Sequence, residues 1–257
     1  MLRTIEPSRR NFLVGLGRFA AVAPLAASMP WAAGAARAAT PPLACPPKSA
    51  WTDLAAKVSG GVLTPLDPFF TDVCRPNNLR YDTLPMGVAR CLTTQDVQAA
   101  IAWVRQQAIP FSVRSGGHNY AGYSSTNGLL IDMSLMAGVE VLDKKEGIVR
   151  VKGGTGNALV YKELERLGRT ITHGRCDAVG AAGFLLGGGI GFNMRLYGIG
   201  SDLMTGTTLV TADGQRHDAN EKTDSSLYWA CRGGAGGNFG INTEFILATK
   251  QIGRAHV

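Results

Sequence analysis

The chain has 257 residues, 45% hydrophobic, 18% charged and 7% aromatic, a mixture that excludes a disordered or fibrous protein and suffices for one or two globular domains. Its 33 glycines are about twice the average usage and follow no G-X-Y period, so many backbone positions are expected to need positive φ or close approach to a ligand. More than half of the formal charge of +7 comes from Arg3, Arg9, Arg10, Arg18 and Arg37, set against Glu6 alone in residues 1–38; the remainder has no stripe of like charge, which removes the electrostatic argument for a nucleic-acid partner.

Ser8-Arg9-Arg10-Asn11-Phe12-Leu13 is a twin-arginine sequence, followed by a mildly apolar run from Val14 to Trp31 and small residues ending at Ala36-Arg37-Ala38. Residues 1–38 therefore read as a signal for the twin-arginine export machinery, which places the mature protein in the periplasm or outside the cell. That route serves proteins that take up a cofactor before crossing the membrane. Arg18 interrupts the run and no second stretch of spanning length follows, so no permanent membrane span is expected. Gly15-Leu16-Gly17-Arg18-Phe19-Ala20 fits a dinucleotide-loop expression, but with no strand ahead of it the match is discounted.

Residues 39–50 read as a Pro-rich linker and Trp51–Val58 as a short helix. Val97, Ile101, Val104 and Ala108 share one helical face, which predicts a helix over Thr94–Ala108 with Thr94 as N-cap and Pro110 as the stop. Phe111-Ser112-Val113 is a short strand, Ser115–Asn119 a turn and Leu129–Met133 a further strand. Val139–Leu142 and Ile148–Lys152 form a hairpin across Asp143–Gly147, and Tyr161–Leu167 continues as an amphipathic helix closed by Gly168. Cys176–Gly191 is glycine-rich and opens a helix; Thr208–Ala212 is a strand leading to an Asp213-Gly214 turn. Ser226–Arg232 is helical, Gly233–Gly240 is another glycine-rich loop, and Ile241–Ala248 is a strand. Short strands, hairpins and helices without steady βαβ alternation indicate an α+β fold.

The five cysteines, Cys45, Cys74, Cys91, Cys176 and Cys231, include no C-x-x-C pair, and no zinc spacing, phosphate-binding G-x-x-x-x-G-K-[ST] loop, H-E-x-x-H or G-x-S-x-G motif is found, so no metal site is expected. In an oxidising compartment two of Cys45, Cys74 and Cys91 are expected to pair. What remains is three glycine-rich loops beside strand ends and helix starts, where clustered N–H groups suit an anion such as pyrophosphate. One loop holds His118, and Cys176 stands just ahead of the next. A histidine in a glycine turn is more often a cap, and a lone cysteine more often inert packing, so neither decides the matter alone.

Taken together, Val113-Arg114-Ser115-Gly116-Gly117-His118-Asn119-Tyr120 with Gly128–Ser134, Gly174–Gly180, Gly183–Gly191, Val210–Gly214, Leu227–Gly234 and Gly237–Ile241 resemble, in order and spacing over residues 50–250, the berberine bridge enzyme-like flavoproteins. The resemblance implies FAD bound in the two-subdomain, PCMH-type fold of the vanillyl-alcohol oxidase superfamily. It implies attachment of His118 to the flavin 8α-methyl carbon and of Cys176 to ring carbon C6. The first loop would contribute Arg114, Ser115, Gly116, Gly117 and Asn119; the second Val179 and Gly180; the helix opening Gly183, Gly187, Gly188, Gly189 and Gly191; and the last loop Asn238 and Ile241. Both attachments suit nucleophilic side chains, a thiolate and a neutral imidazole, held against an electron-poor ring. Cys231 is expected to be a buried free thiol.

The activity so implied is oxidation of a small-molecule alcohol, such as a sugar or glycoside, with O2 as acceptor. A singly attached flavin dehydrogenase with another acceptor, and a flavin-binding fragment without activity, are the alternatives. Family members continue for about as many residues again into a substrate domain that holds the tyrosine bases, so no catalytic base is assigned. Residues 251–257 are expected to be a non-native tail, since Ile252-Gly253-Arg254-Ala255-His256-Val257 resembles translated adapter read-through, and the chain reads as a truncated gene product.

Overall fold

A computed structural model describes residues 43–253; the signal segment, the start of the linker and the last four residues of the expected tail lie outside them. The architecture is α+β, with two main sheets. The first contains β1 (Val62–Leu63), β2 (Gly87–Arg90), β3 (Phe111–Arg114) and β4 (Leu129–Asp132) in the order β1-β2-β4-β3, with β2, β4 and β3 parallel. A helical crossover joins β2 to β3, and β4 then inserts between them. This parallel core was not apparent in the sequence pattern, because β2 is only four residues long and too short for its period to show.

Parallel strands are normally covered on both faces, and alternate residues here reach different clusters. Ala89, Leu129 and Ile131 pack with helices α1 (Lys48–Ala55) and α3 (Thr94–Gln107), while Val88 and Leu130 pack with Phe70 and Cys74 of α2 (Phe70–Cys74). The helix expected at Trp51–Val58 starts earlier, directly after Pro47, whose fixed φ suits a helix entrance but not an interior. In α3 the cap is Thr93 rather than Thr94: its hydroxyl accepts the Asp96 N–H at 3.2 Å, and Asp96 accepts the Thr93 N–H at 3.0 Å, a reciprocal capping box.

The second sheet is antiparallel, ordered β5-β6-β10-β8-β9, with β5 (Val139–Asp143), β6 (Ile148–Lys152), β8 (Met204–Val210), β9 (Arg216–Asn220) and β10 (Ile241–Ala248). The β5–β6 hairpin and β10 match their expected positions; β8 begins earlier than expected, at Met204, and β9, polar and at the sheet edge, has no apolar alternation to announce it. Helices α4 (Asn157–Arg166), α5 (Ala181–Leu186), the short α6 (Met194–Tyr197) and α7 (Ser225–Cys231), with a 3-10 turn at Gly200–Leu203, complete the helical elements, and α4, α5 and α7 share a core with Val149, Val151, Leu209, Phe245 and Leu247. The short strands β7 (Arg169–Thr170) and β11 (Lys250–Gln251) pair with each other, and Ile252 donates to the Gly168 carbonyl, so the start of the expected tail is hydrogen-bonded.

All five cysteines are free, which corrects the expected disulfide among Cys45, Cys74 and Cys91. The physical reason is packing: Cys45 is exposed, whereas Cys74 and Cys91 are buried in separate clusters. Cys231 is, as expected, a buried free thiol. No helix among the described residues is long and apolar enough to cross a membrane.

Candidate functional site

Ligand sites in open parallel sheets form beyond the carboxyl ends of the strands, where the strand order reverses. Here the register sets Arg90, Asp132 and Arg114 side by side at those ends, and the chain leaves β3 directly into the loop Ser115–Asn119. Arg114 is 6% exposed: its Nη1 donates to the carbonyls of Val73 at 2.9 Å and Cys74 at 2.8 Å, and its Nε and Nη2 donate to that of Ser124 at 3.0 and 2.8 Å. The guanidinium is thus turned to main-chain carbonyls of the protein and clamps the loop's flanks, so that any contact of Arg114 with a cofactor would come through its main chain. Burial presses its pKa below the ordinary value, opposed by the nearby Asp132 carboxylate.

The loop itself is tied at few points. Ser115 Oγ donates to the Gly153 carbonyl at 2.8 Å, the Gly117 carbonyl accepts from Asn77 N–H at 3.1 Å, and Asn119 Oδ1 accepts from the N–H groups of Ala121 and Tyr123 at 2.9 and 3.1 Å. Gly117 has φ +70°, a conformation open to glycine and costly for a side chain. Among the described residues, the backbone N–H groups of Ser115, Gly116, Gly117, His118, Asn119 and Tyr120 have no protein acceptor. Such a run beside a left-handed glycine offers free donors of the kind that suit an anion, such as the pyrophosphate of a dinucleotide. His118 lies half-buried within it.

The second loop rests against the first. A Cβ on Gly116 would come within 2.7 Å of the Ala178 carbonyl oxygen and 2.8 Å of Gly180 Cα, so the two backbones touch where only glycine fits. Gly180 also bridges to Gly156, and the carbonyls of Asp177 and Val179 accept from the N–H groups of Ala158 and Asn157 at 3.1 and 2.9 Å. The loops that carry His118 and Cys176 are therefore in contact over the start of α4, and the Cys176 thiol is exposed. Asn157, which residue pattern did not single out, is 1% exposed with neither amide atom hydrogen-bonded. Tyr161 also carried no sequence signal: its Oη accepts the Gly174 N–H at 2.9 Å, and burial is the main cause that pushes its pKa up to about 12.

The remaining expected residues divide into two groups. Gly183 and Gly187 lie on the exposed side of α5, and a Cβ on Gly183 would meet nothing within 4 Å. By contrast, Gly188, Gly189 and Gly191 are needed by the protein's own packing. The Gly188 and Gly189 carbonyls accept from the N–H groups of Ser201 at 2.9 Å and Gly200 at 2.8 Å, and a Cβ on Gly191 would come within 2.6 Å of the His173 carbonyl carbon. In the last loop Ala235 N–H donates to the Leu186 carbonyl at 2.9 Å, joining it to the end of α5, and Asn238 Nδ2 donates to the Gly234 carbonyl at 2.8 Å. Ile241 is buried in the core with Val210, which leaves only its backbone to meet a ligand.

Comparison with known proteins follows the same residues. The FAD binding domain family matches residues 85–220. A carbohydrate oxidase of Microdochium nivale is 35% identical over 178 residues, 68% of this chain and 36% of that protein. The solved structure of Physcomitrella patens BBE-like 1 superposes with a TM-score of 0.74 at 30% identity, covering 78% of this chain and 44% of that one. A structure of glucooligosaccharide oxidase from Acremonium strictum, concerned with its 6-S-cysteinyl, 8α-N1-histidyl FAD, gives a TM-score of 0.72 at 30% identity, covering 79% of this chain and 42% of that one. The chain thus spans less than half the length of each of these relatives. With the family's match extending over more than half of it, the chain belongs to the FAD binding domain family, with the PCMH-type fold of the vanillyl-alcohol oxidase superfamily.

Proposed function

We propose that the chain is the flavin-holding part of an exported oxidase, with FAD attached through both His118 and Cys176. The observation that carries this reading is the contact of Gly116 with Gly180, which brings the two attachment loops together at an unpaired run of N–H groups. Those N–H groups bind the pyrophosphate, His118 supplies its imidazole from inside the same run, and the exposed thiol of Cys176 approaches from the adjoining loop. The bicovalent cofactor of the similarly folded glucooligosaccharide oxidase supports the pairing of a histidine with a cysteine. Bound FAD supplies the two-electron acceptor for oxidation of a CH–OH group, and two tethers retain it outside the cell. The sugar oxidases among the relatives support a sugar or glycoside as the alcohol, with electrons passing to O2.

Peptide mapping after acid denaturation tests the attachment. One FAD joining the His118 and Cys176 peptides is the expected product, and recovery of both peptides unmodified from folded, flavin-loaded protein overturns it. Hydrogen peroxide formed by the full-length protein with an oligosaccharide panel tests the oxidase activity; turnover with a dye acceptor but no peroxide supports the dehydrogenase instead.

A further inference from the structure

The segment leading to Cys176 is held by side chains on its upstream side. Asn193 Oδ1 accepts the His173 N–H at 3.2 Å and its Nδ2 donates to the Ile171 carbonyl at 3.0 Å. Tyr161, from the middle of α4, then accepts the Gly174 N–H at 2.9 Å, while its ring meets that of His173 edge-on with 5.2 Å between centroids. Beyond Gly174 the side chains let go. Arg175 lies over the Phe192 ring at 5.7 Å and fixes no main-chain group, and from Cys176 to Gly180 the loop is held through backbone bonds to the start of α4. Among the described residues, the Tyr161 hydroxyl is thus the hold that α4 itself extends to the main chain before the thiol. Its surroundings suit that function, since the side chain is half-buried and packed against the second core.

We propose that Tyr161 is a positioning residue for attachment at Cys176, acting on that bond and not on the one at His118, whose loop is held separately by Arg114 and Ser115. The proposal rests on the bicovalent reading above. In the step it serves, the Cys176 thiol loses its proton and Sγ bonds to ring carbon C6. The C6 hydrogen leaves as a proton, the electron pair of the broken C–H bond reduces the ring by two electrons, and both protons and the pair pass to dioxygen, giving hydrogen peroxide and the oxidised, thioether-linked cofactor. A freely moving Gly174–Cys176 segment would bring Sγ to C6 less often, so the hydroxyl acts by lowering the conformational freedom lost on attack.

The test compares full-length wild type with Tyr161→Phe, which keeps the ring and removes the hydroxyl, by peptide mapping at fixed times after FAD is supplied. Expected is doubly linked peptide accumulating about fivefold more slowly, the scale of one neutral hydrogen bond, with the His118-linked peptide forming at the wild-type rate. Asn193→Ser, which loosens the same segment from its other hold, is expected to produce the same selective delay. Equal accumulation of doubly linked peptide in Tyr161→Phe and wild type overturns the proposal and leaves the bicovalent reading intact. Equal loss of both attachments also overturns it, since that marks a general folding role. Absence of doubly linked peptide from flavin-loaded wild type overturns the bicovalent reading, and the proposal with it.

Discussion

A methyl group at Gly116 would overlap the main chain of Gly180, and neither backbone can yield without separating the loops that carry His118 and Cys176. Gly116→Ala is therefore expected to cost about 2 kcal/mol, within the range for overpacking, and to lower the flavin bound per protein; a denaturant melt and the visible absorbance of purified protein check the two effects. The thiols make a second expectation at this scale. Burial pushes the pKa of Cys74 up to about 11 and also raises those of Cys91 and Cys231, while Cys45 and Cys176 are exposed. Alkylation of the native, flavin-free protein should mark Cys45 and Cys176 and spare the other three until it unfolds. After bicovalent loading only Cys45 should react, a difference that mass spectrometry of the labelled peptides resolves.

Helix α3 joins the two sheets, since Gln98 and Arg105 on it donate to the carbonyls of Gly214 and Asp213 at 2.7 and 2.8 Å and Thr94 bonds to Thr243 at 3.0 Å. Its start is thus a point where local capping supports tertiary packing. Thr93→Ala is expected to lose about 1 kcal/mol, the usual worth of such a cap, as seen in a urea melt. Burial would raise the pKa of Asp96, but hydrogen bonds from Ser59, Leu92 and Thr93 outweigh it and hold the carboxyl below its ordinary value. Its contribution is complete above the unfolded-state pKa, about 4, and disappears as acid carries the pH down through the lower folded value. Stability measured against pH should fall across that acidic window in the wild type and more gently in Asp96→Asn.

Over the described residues, large apolar side chains lie open on two short stretches of chain: Ile190 is 70% exposed, Phe192 69% and Leu196 74%, with Tyr120 and Tyr123 exposed just after the first loop. Large exposed apolar groups favour association. The 257-residue chain on its own is expected to self-associate as its concentration rises, and Phe192→Glu with Leu196→Glu to reduce this; light scattering over a dilution series reads the effect. No change in apparent mass with concentration in the parent chain would show that the patch is too broken up to drive association.

Local pattern alone was enough for the elements whose residues answer mainly to their neighbours in sequence. Helix α3, the β5–β6 hairpin and β10 were legible because apolar period, turn residues and a proline stop all agree there, and the order of the glycine motifs pointed to the family and its cofactor. Five strands escaped it: β1, β2, β7 and β11 have too few residues to show a period, and β9 is a polar edge. For the site, residue types named the loops but not their relations. That Arg114 turns inward to three carbonyls, that Gly116 lies on Gly180, and that Tyr161 reaches Gly174 were decided by tertiary structure. Each depends on which distant backbone group comes to lie alongside, and a side chain's hydrogen-bonding capacity does not specify its partner until the strands and helices have packed.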